Sequence, residues 1–210
     1  LYRLFLLAIT AHECLGFTRA ILFLRGRGDG ARLTAHEAVG AISRNAAKER
    51  WRQAEVTPLD EKMDRCEEPP ETRPGDLREA ISDLVLDLHQ LPGLRSLFQE
   101  GRTVVRRRGT PHILQEPRLL GILRSDNDYD GDYVLAPLSA GGSLLGAVLA
   151  DRAFLPSSEI EPQRLDLLQL LSGEFAPMLE ANRFRREEQE AVIARQLASG
   201  TSAAISPQPT

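Results

Sequence analysis

The chain has 210 residues, a formal charge of −4, 42% hydrophobic and 27% charged residues, and a sequence pI near 5.7. This is ordinary globular composition, with apolar material for one core plus terminal extensions. The mild acidity excludes a global field that favours nucleic acid or anionic membrane, no apolar run approaches the ~20 residues of a bilayer span, and no secretory signal layout occurs.

The two cysteines, Cys14 and Cys66, are too few for a disulfide framework or a zinc knuckle, so reduced thiols in a cytoplasmic protein are expected. Arg65 beside Cys66 is the only hint of a redox-reactive thiolate. The chain starts at Leu1 rather than Met, as expected of a segment of a longer protein.

In chain order, residues 1–17 read as a helix, with Leu1, Leu4, Phe5, Ala8 and Leu15 near a 3.6 period and Gly16 as its stop. A buried strand, 18–25, follows. Asp29-Gly30 signals a hairpin turn, and 31–39 is the return strand. Residues 43–54 form a helix that Ser43 can cap. Residues 55–75, rich in proline and acids, read as a poorly ordered loop.

Asp76 then opens a helix with Glu79 placed as in a capping box, and Leu77, Ile81, Leu84, Leu88 and Leu91 form its stripe. Pro92-Gly93 ends it, and a short helix covers 94–100. Residues 102–108 are a β-branched strand flanked by arginines, followed by a short helix in "PRLLGILRS". The run "DYVLAPLSAGGSLLGAVLADRAF", 132–154, is a hairpin: strands 132–139 and 143–151 with Gly141-Gly142 as the turn. From Pro162 a long helix carries Leu165, Leu168, Leu171, Phe175 and Met178 as its apolar face, with a kink expected at Pro177. The fold class expected is α+β, built on an antiparallel sheet of five to six strands.

Four phrases carry a family resemblance: "LGFTRAILFL" (15–24), "AVG" (38–40) before a helix bearing Trp51, "VLAPLSAGGSLLGAVLADR" (134–152) and "LDLLQLLSGEFAPMLEANR" (165–183). In this order they resemble a GAF domain, of the kind found in bacterial sensor histidine kinases and related two-component signalling proteins. The resemblance implies N- and C-terminal helices on one face of the sheet. On the other face, irregular helices and loops roof a small-molecule pocket. The resemblance covers residues 1–183, the sensory domain; the charge-rich stretch 184–198 reads as a signalling helix and 199–210 as a disordered tail. The sparse apolar seam of the last helix beyond Asn182 reads as half of a homodimer junction through the terminal helices, with a solvated linker as the alternative, and the missing catalytic motifs read as no catalysis.

Catalytic and ligand signatures of the family are missing. There is no Asn-Lys-Phe-Asp-Glu set for cyclic nucleotides, no Cys-His dipeptide for a bilin, and no third cysteine for methionine sulfoxide reduction. The ligand, and any cofactor, is therefore unknown. His89 and His112 lie in the roofing segments, between which and the sheet the pocket is expected, and are the ligand-binding candidates; an ordinary surface or satisfied histidine is the alternative at both. No histidine pair has metal-helix spacing. Asp126, Asp128, Asp130 and Gly131 begin like a calcium loop, but Pro137 stands where a bidentate Glu is required, so a turn is expected. Arg102 and Arg106–Arg108 read as a solvated or edge strand rather than a nucleic-acid site.

The expected reading is a non-catalytic sensory module that binds a small molecule and relays the change through its terminal helices to an output domain. The alternative is a ligand-free scaffold for dimerisation. If the last helix reaches Leu197 it spans about 54 Å at 1.5 Å per residue, longer than its own domain needs.

Overall fold

A computed structural model describes residues 1–12, 14–26, 31–56, 75–124 and 131–201. The expected Asp-Gly turn, the proline-rich loop, the aborted calcium motif before Gly131, Cys66 and most of the tail lie outside the described residues. The elements are α1 (Tyr2–Thr10), β1 (Arg19–Arg25), β2 (Arg32–Val39), α2 (Arg44–Val56), α3 (Leu77–Ala80), β3 (Val85–Asp87), α4 (Pro92–Gln99), β4 (Val104–Arg106), α5 (Pro117–Leu123), β5 (Tyr133–Ala140), β6 (Ser143–Asp151) and α6 (Pro162–Thr201).

The six strands form one sheet in the order β3-β2-β1-β6-β5-β4, with every pairing antiparallel. The β5–β6 hairpin turns through Gly141 and Gly142, both at positive φ, a conformation glycine adopts without steric cost. Pro137 pairs with Ala147, while β4 reaches only Tyr133–Leu135. The far side of β5 is therefore an edge at Pro137, where a missing N–H leaves no acceptor unserved.

Alternation along the strands sends two apolar sets to opposite faces. One set, with Leu22, Val134, Ala136, Leu138 and Val148, meets Phe5, Leu6 and Ile9 of α1 and Leu168, Phe175, Ala176 and Leu179 of α6. The Phe5 and Phe175 rings stack at 3.9 Å. The other set, with Ile21, Phe23, Leu33, Leu135, Ala147 and Leu149, is roofed by Leu94 and Phe98 of α4 and by Leu114, Leu119 and Leu123. The terminal helices thus share one face and the short helices cover the other.

Several local expectations are corrected. The first helix stops at Thr10, because Ala11 is extended; the chain turns there, with the Gly16 N–H donating to Ala11 O. Residues 77–91 are not one helix. A single turn ends at Ala80, Asp83 takes a positive φ, and the chain runs on as β3 against β2. Leu84 and Leu88 of the expected stripe stay buried as part of an inward alternation that adds Leu86. Residues 85–87 instead extend the sheet along the otherwise open edge of β2. Pro92 starts α4 rather than ending a helix. Met178 is exposed, and the buried face of α6 runs through Leu168, Ser172, Phe175, Ala176 and Leu179. Arg106 is buried, not solvated, although β4 is an edge strand as expected.

Candidate functional site

His89 and His112 are not brought together. His89 is exposed in the turn after β3, where its backbone N–H donates to Asp87 Oδ1 at 2.9 Å. His112 is half-buried. Its ring lies nearly parallel to that of Tyr133, with centroids 6.0 Å apart, and its Nε2 accepts from Arg124 Nε at 3.4 Å.

The roofed face is filled over most of its area by its own leucines and Phe98. Space remains toward the β3 edge, where a partly open cavity of about 620 Å³ is lined by Gly26 at the end of β1, by Arg32 and Thr34 of β2 and by all of β3. Gln90, Leu91 and the residues Gln115–Pro117 that lead into α5 complete it. Thr34 and Arg32 pair with Val85 and Asp87. Thr34 has the parity of Leu24 on the terminal-helix side rather than that of roof-facing Leu33, so the cavity wraps the β3 edge of the sheet and reaches the lead-in to α5; neither candidate histidine lines it.

Its chemistry is mixed. Val85, Leu86 and Leu91 are apolar, whereas Thr34, Gln90 and Gln115 add a hydroxyl and two amides. Two carboxylates have structural duties. Asp87 holds the His89 turn, and Glu116 caps α5 by accepting from the Leu119 N–H. Such a lining suits a small polar molecule bound by amide and hydroxyl contacts. Among the described residues no three His, Cys, Asp or Glu side chains come together to hold a metal ion, and the described thiol, Cys14, is exposed and free. No described helix is long and apolar enough to cross a membrane.

A second polar arrangement escaped the sequence reading. Arg19 of β1 pairs across the sheet with Asp151 of β6, Asp151 with Tyr133 of β5, and Tyr133 with Arg106 of β4. Directly opposed residues share a face, so the four form one buried row at the end of the sheet away from the cavity. The Arg19–Asp151 pair closes at 2.5 Å with both side chains 1% exposed. The Arg106 guanidinium lies over the Tyr133 ring, 5.9 Å from its centroid. Strand parity carried the signal: Arg19 has the parity of inward Ile21 and Phe23, and Asp151 that of Leu149 and Ala147.

The root of α6 is tied down by charge. Arg164 donates to Leu15 O and to Glu161, and Arg152 lies 3.5 Å from Glu161. The hydrogen bond from Arg164, aided by the charges of Arg164 and Arg152, holds the Glu161 carboxyl below its ordinary range. A depressed folded-state pKa stabilises above the unfolded value and is lost as pH falls through the folded one. Acidification below the usual carboxylate range should therefore loosen the first turn of α6. Amide exchange of residues 162–166 across that range checks this, and Glu161→Gln should remove most of the pH dependence.

No protein-family model and no curated protein matches the chain. Solved structures do. The GAF domain/HD domain protein from Geobacter sulfurreducens is similar at 12% identity over 83% of this chain and 87% of that one, with a TM-score of 0.51. Residues 122 to 287 of a methyl-accepting chemotaxis protein match at 17% identity over 86% and 87%, again at 0.51. The blue-light absorbing form of the Thermosynechococcus elongatus PixJ GAF domain matches at 16% identity over 91% and 92%, at 0.50. These likenesses show that the chain has the GAF fold.

Proposed function

We propose that the chain is a non-catalytic sensory module of a cytoplasmic bacterial signalling protein, which binds a small polar molecule in the cavity between β3 and the lead-in to α5. The cavity carries this reading, because it opens at the β3 edge beside the lead-in to α5 and its lining offers hydrogen-bonding groups around apolar walls. The solved structures of the same fold include a chemotaxis protein and a light-absorbing domain, a context that supports sensing.

The relay would run through the terminal helices, to an output domain and to a second copy of the chain. Exposed Leu1 and Leu4 at the start of the chain and Leu167, Leu170, Met178 and Phe184 on α6 favour such pairing. They also favour a second reading, a scaffold that dimerises without a ligand.

Native mass spectrometry of the purified protein separates the two. The sensory reading expects a retained small molecule that is lost in Thr34→Trp, which fills the cavity. Loss in His89→Ala or His112→Ala, with Thr34→Trp unaffected, moves the site to the histidines. A dimer with no retained mass in any variant supports the scaffold. Sedimentation of Leu170→Glu should then give a monomer.

A further inference from the structure

Three members of the buried cross-strand row hold the backbone of the roofing segment. Arg106 donates from Nε and Nη2 to Thr110 O, at 2.9 and 2.6 Å. The Tyr133 hydroxyl accepts the Ile113 N–H at 3.0 Å. Arg19 donates from Nη1 to Ile122 O at 2.7 Å. Residues 110–122 are thus fastened at three points by side chains from three strands.

The same end of the sheet also holds the root of α6. Next to Arg106 and Tyr133 stand Arg107 and Asp132, paired at 2.7 Å. The Asp132 carboxylate, nearly buried, also accepts the Arg108 N–H at 2.7 Å and faces the Ile160 N–H at 3.5 Å. Arg107 donates to Ile160 O at 2.9 Å. The peptide groups of Ile160, two residues before α6, are therefore gripped on both sides. Asp151 of the row adds a bond from the Ala153 N–H at 3.1 Å, and Arg152 reaches Glu159 O at 2.8 Å.

We propose that the Arg19–Asp151–Tyr133–Arg106 row, with the adjoining Arg107–Asp132 pair, couples the order of residues 110–122 to the anchoring of α6. Arg106 and Tyr133 close the β4–β5 pairing and Arg107 and Asp132 are the next residues beyond it, so a shift of β4 or β5 that loosens one set of bonds loosens the other. A molecule that orders the roof then tightens the helix root, and by reciprocity a fixed helix root favours the ordered roof. This deepens the sensory reading by supplying its internal relay, and rests on that reading only for its purpose, because the coupling exists without a ligand.

The test is hydrogen–deuterium exchange of the whole chain without added ligand, comparing wild type with Arg107→Gln and Tyr133→Phe. Arg107 is half-exposed, so its replacement leaves the core intact. Arg107→Gln is expected to raise exchange in residues 158–166 by about tenfold. It should also raise exchange at Ile113, to which Arg107 makes no bond, while β1 and β6 stay at wild-type rates. Tyr133→Phe is expected to act in the opposite direction, from Ile113 to 158–166. Faster exchange confined to the residues beside each substitution overturns the proposal. So does an unchanged 158–166, or a uniform rise through β1 and β6, which would make the row ordinary core. Because no ligand is used, an empty cavity in the mass-spectrometric experiment leaves this result standing.

Discussion

Arg19→Ala is expected to destabilise the protein by about 3–5 kcal/mol. Arg19 and Asp151 are each 1% exposed and bonded to one another through Nε and Nη2, so removing the cation strands a carboxylate in the core. The substitution also frees Ile122 O and removes the guanidinium that lies over Phe154. For a domain of this size each kcal/mol lowers the melting temperature by ~2–4 °C, so a fall of roughly 6–20 °C is expected. The double variant Arg19→Met/Asp151→Leu should recover much of the loss, because no unpaired charge remains. Calorimetry of the two single variants and the double variant checks this. Equal destabilisation in the double variant and in Arg19→Ala would show that packing, not the stranded charge, dominates.

Gly146→Ala should be nearly as damaging, for a different reason. Gly146 sits opposite Leu24 where β6 meets β1, and an added Cβ would lie 2.3 Å from the carbonyl oxygen of Phe23. The obstacle is backbone in the middle of the sheet, so it cannot swing aside as a side chain would. Roughly 3 kcal/mol, the upper end of overpacking, is expected. Gly142→Ala is the control. It has open space but a φ of +76, so its cost is conformational and nearer ~1 kcal/mol. Denaturant unfolding of the two variants should separate them clearly. Similar losses would mean that the central strands part enough to admit a methyl group.

The sheet was legible because five of its strands announce themselves locally. The run from Tyr133 to Asp151 has apolar strands with a Gly-Gly turn between them, and nothing in it suits a helix better. β3 was not legible, for an equally physical reason. Leu77, Ile81, Leu84, Leu88 and Leu91 satisfy a helical stripe, while Leu84, Leu86 and Leu88 satisfy a strand. The choice was made by the unpaired edge of β2, which is remote in sequence. Met178 failed likewise: its spacing fits the α6 stripe, but the sheet contacts only the side through Ser172 and Ala176.

For the candidate site, the segment 110–124 covers the roofed face as expected, but 77–91 supplies β3 of the sheet instead, and neither histidine lines the cavity. Its lining comes from glutamines, a threonine and strand residues whose types carry no distinctive signal. The buried row was readable in principle. It was missed because an arginine at a strand start and an aspartate at a strand end look like solvated ends until their parity is compared with that of their apolar neighbours.

The last described hydrogen bonds between α6 and the rest of the domain involve Asn182 with Tyr2 and Arg183 with Arg25 O. The helix continues to Thr201, which is about 27 Å farther at 1.5 Å per residue. Such a rod is a lever whose fulcrum is the domain itself. A tilt of roughly 10° at the fulcrum would carry the tip by about 5 Å, close to one helical turn. A change too small to disturb the packing of Phe5 on Phe175 would then be several ångströms at Thr201, an angle at the fulcrum read out as a distance.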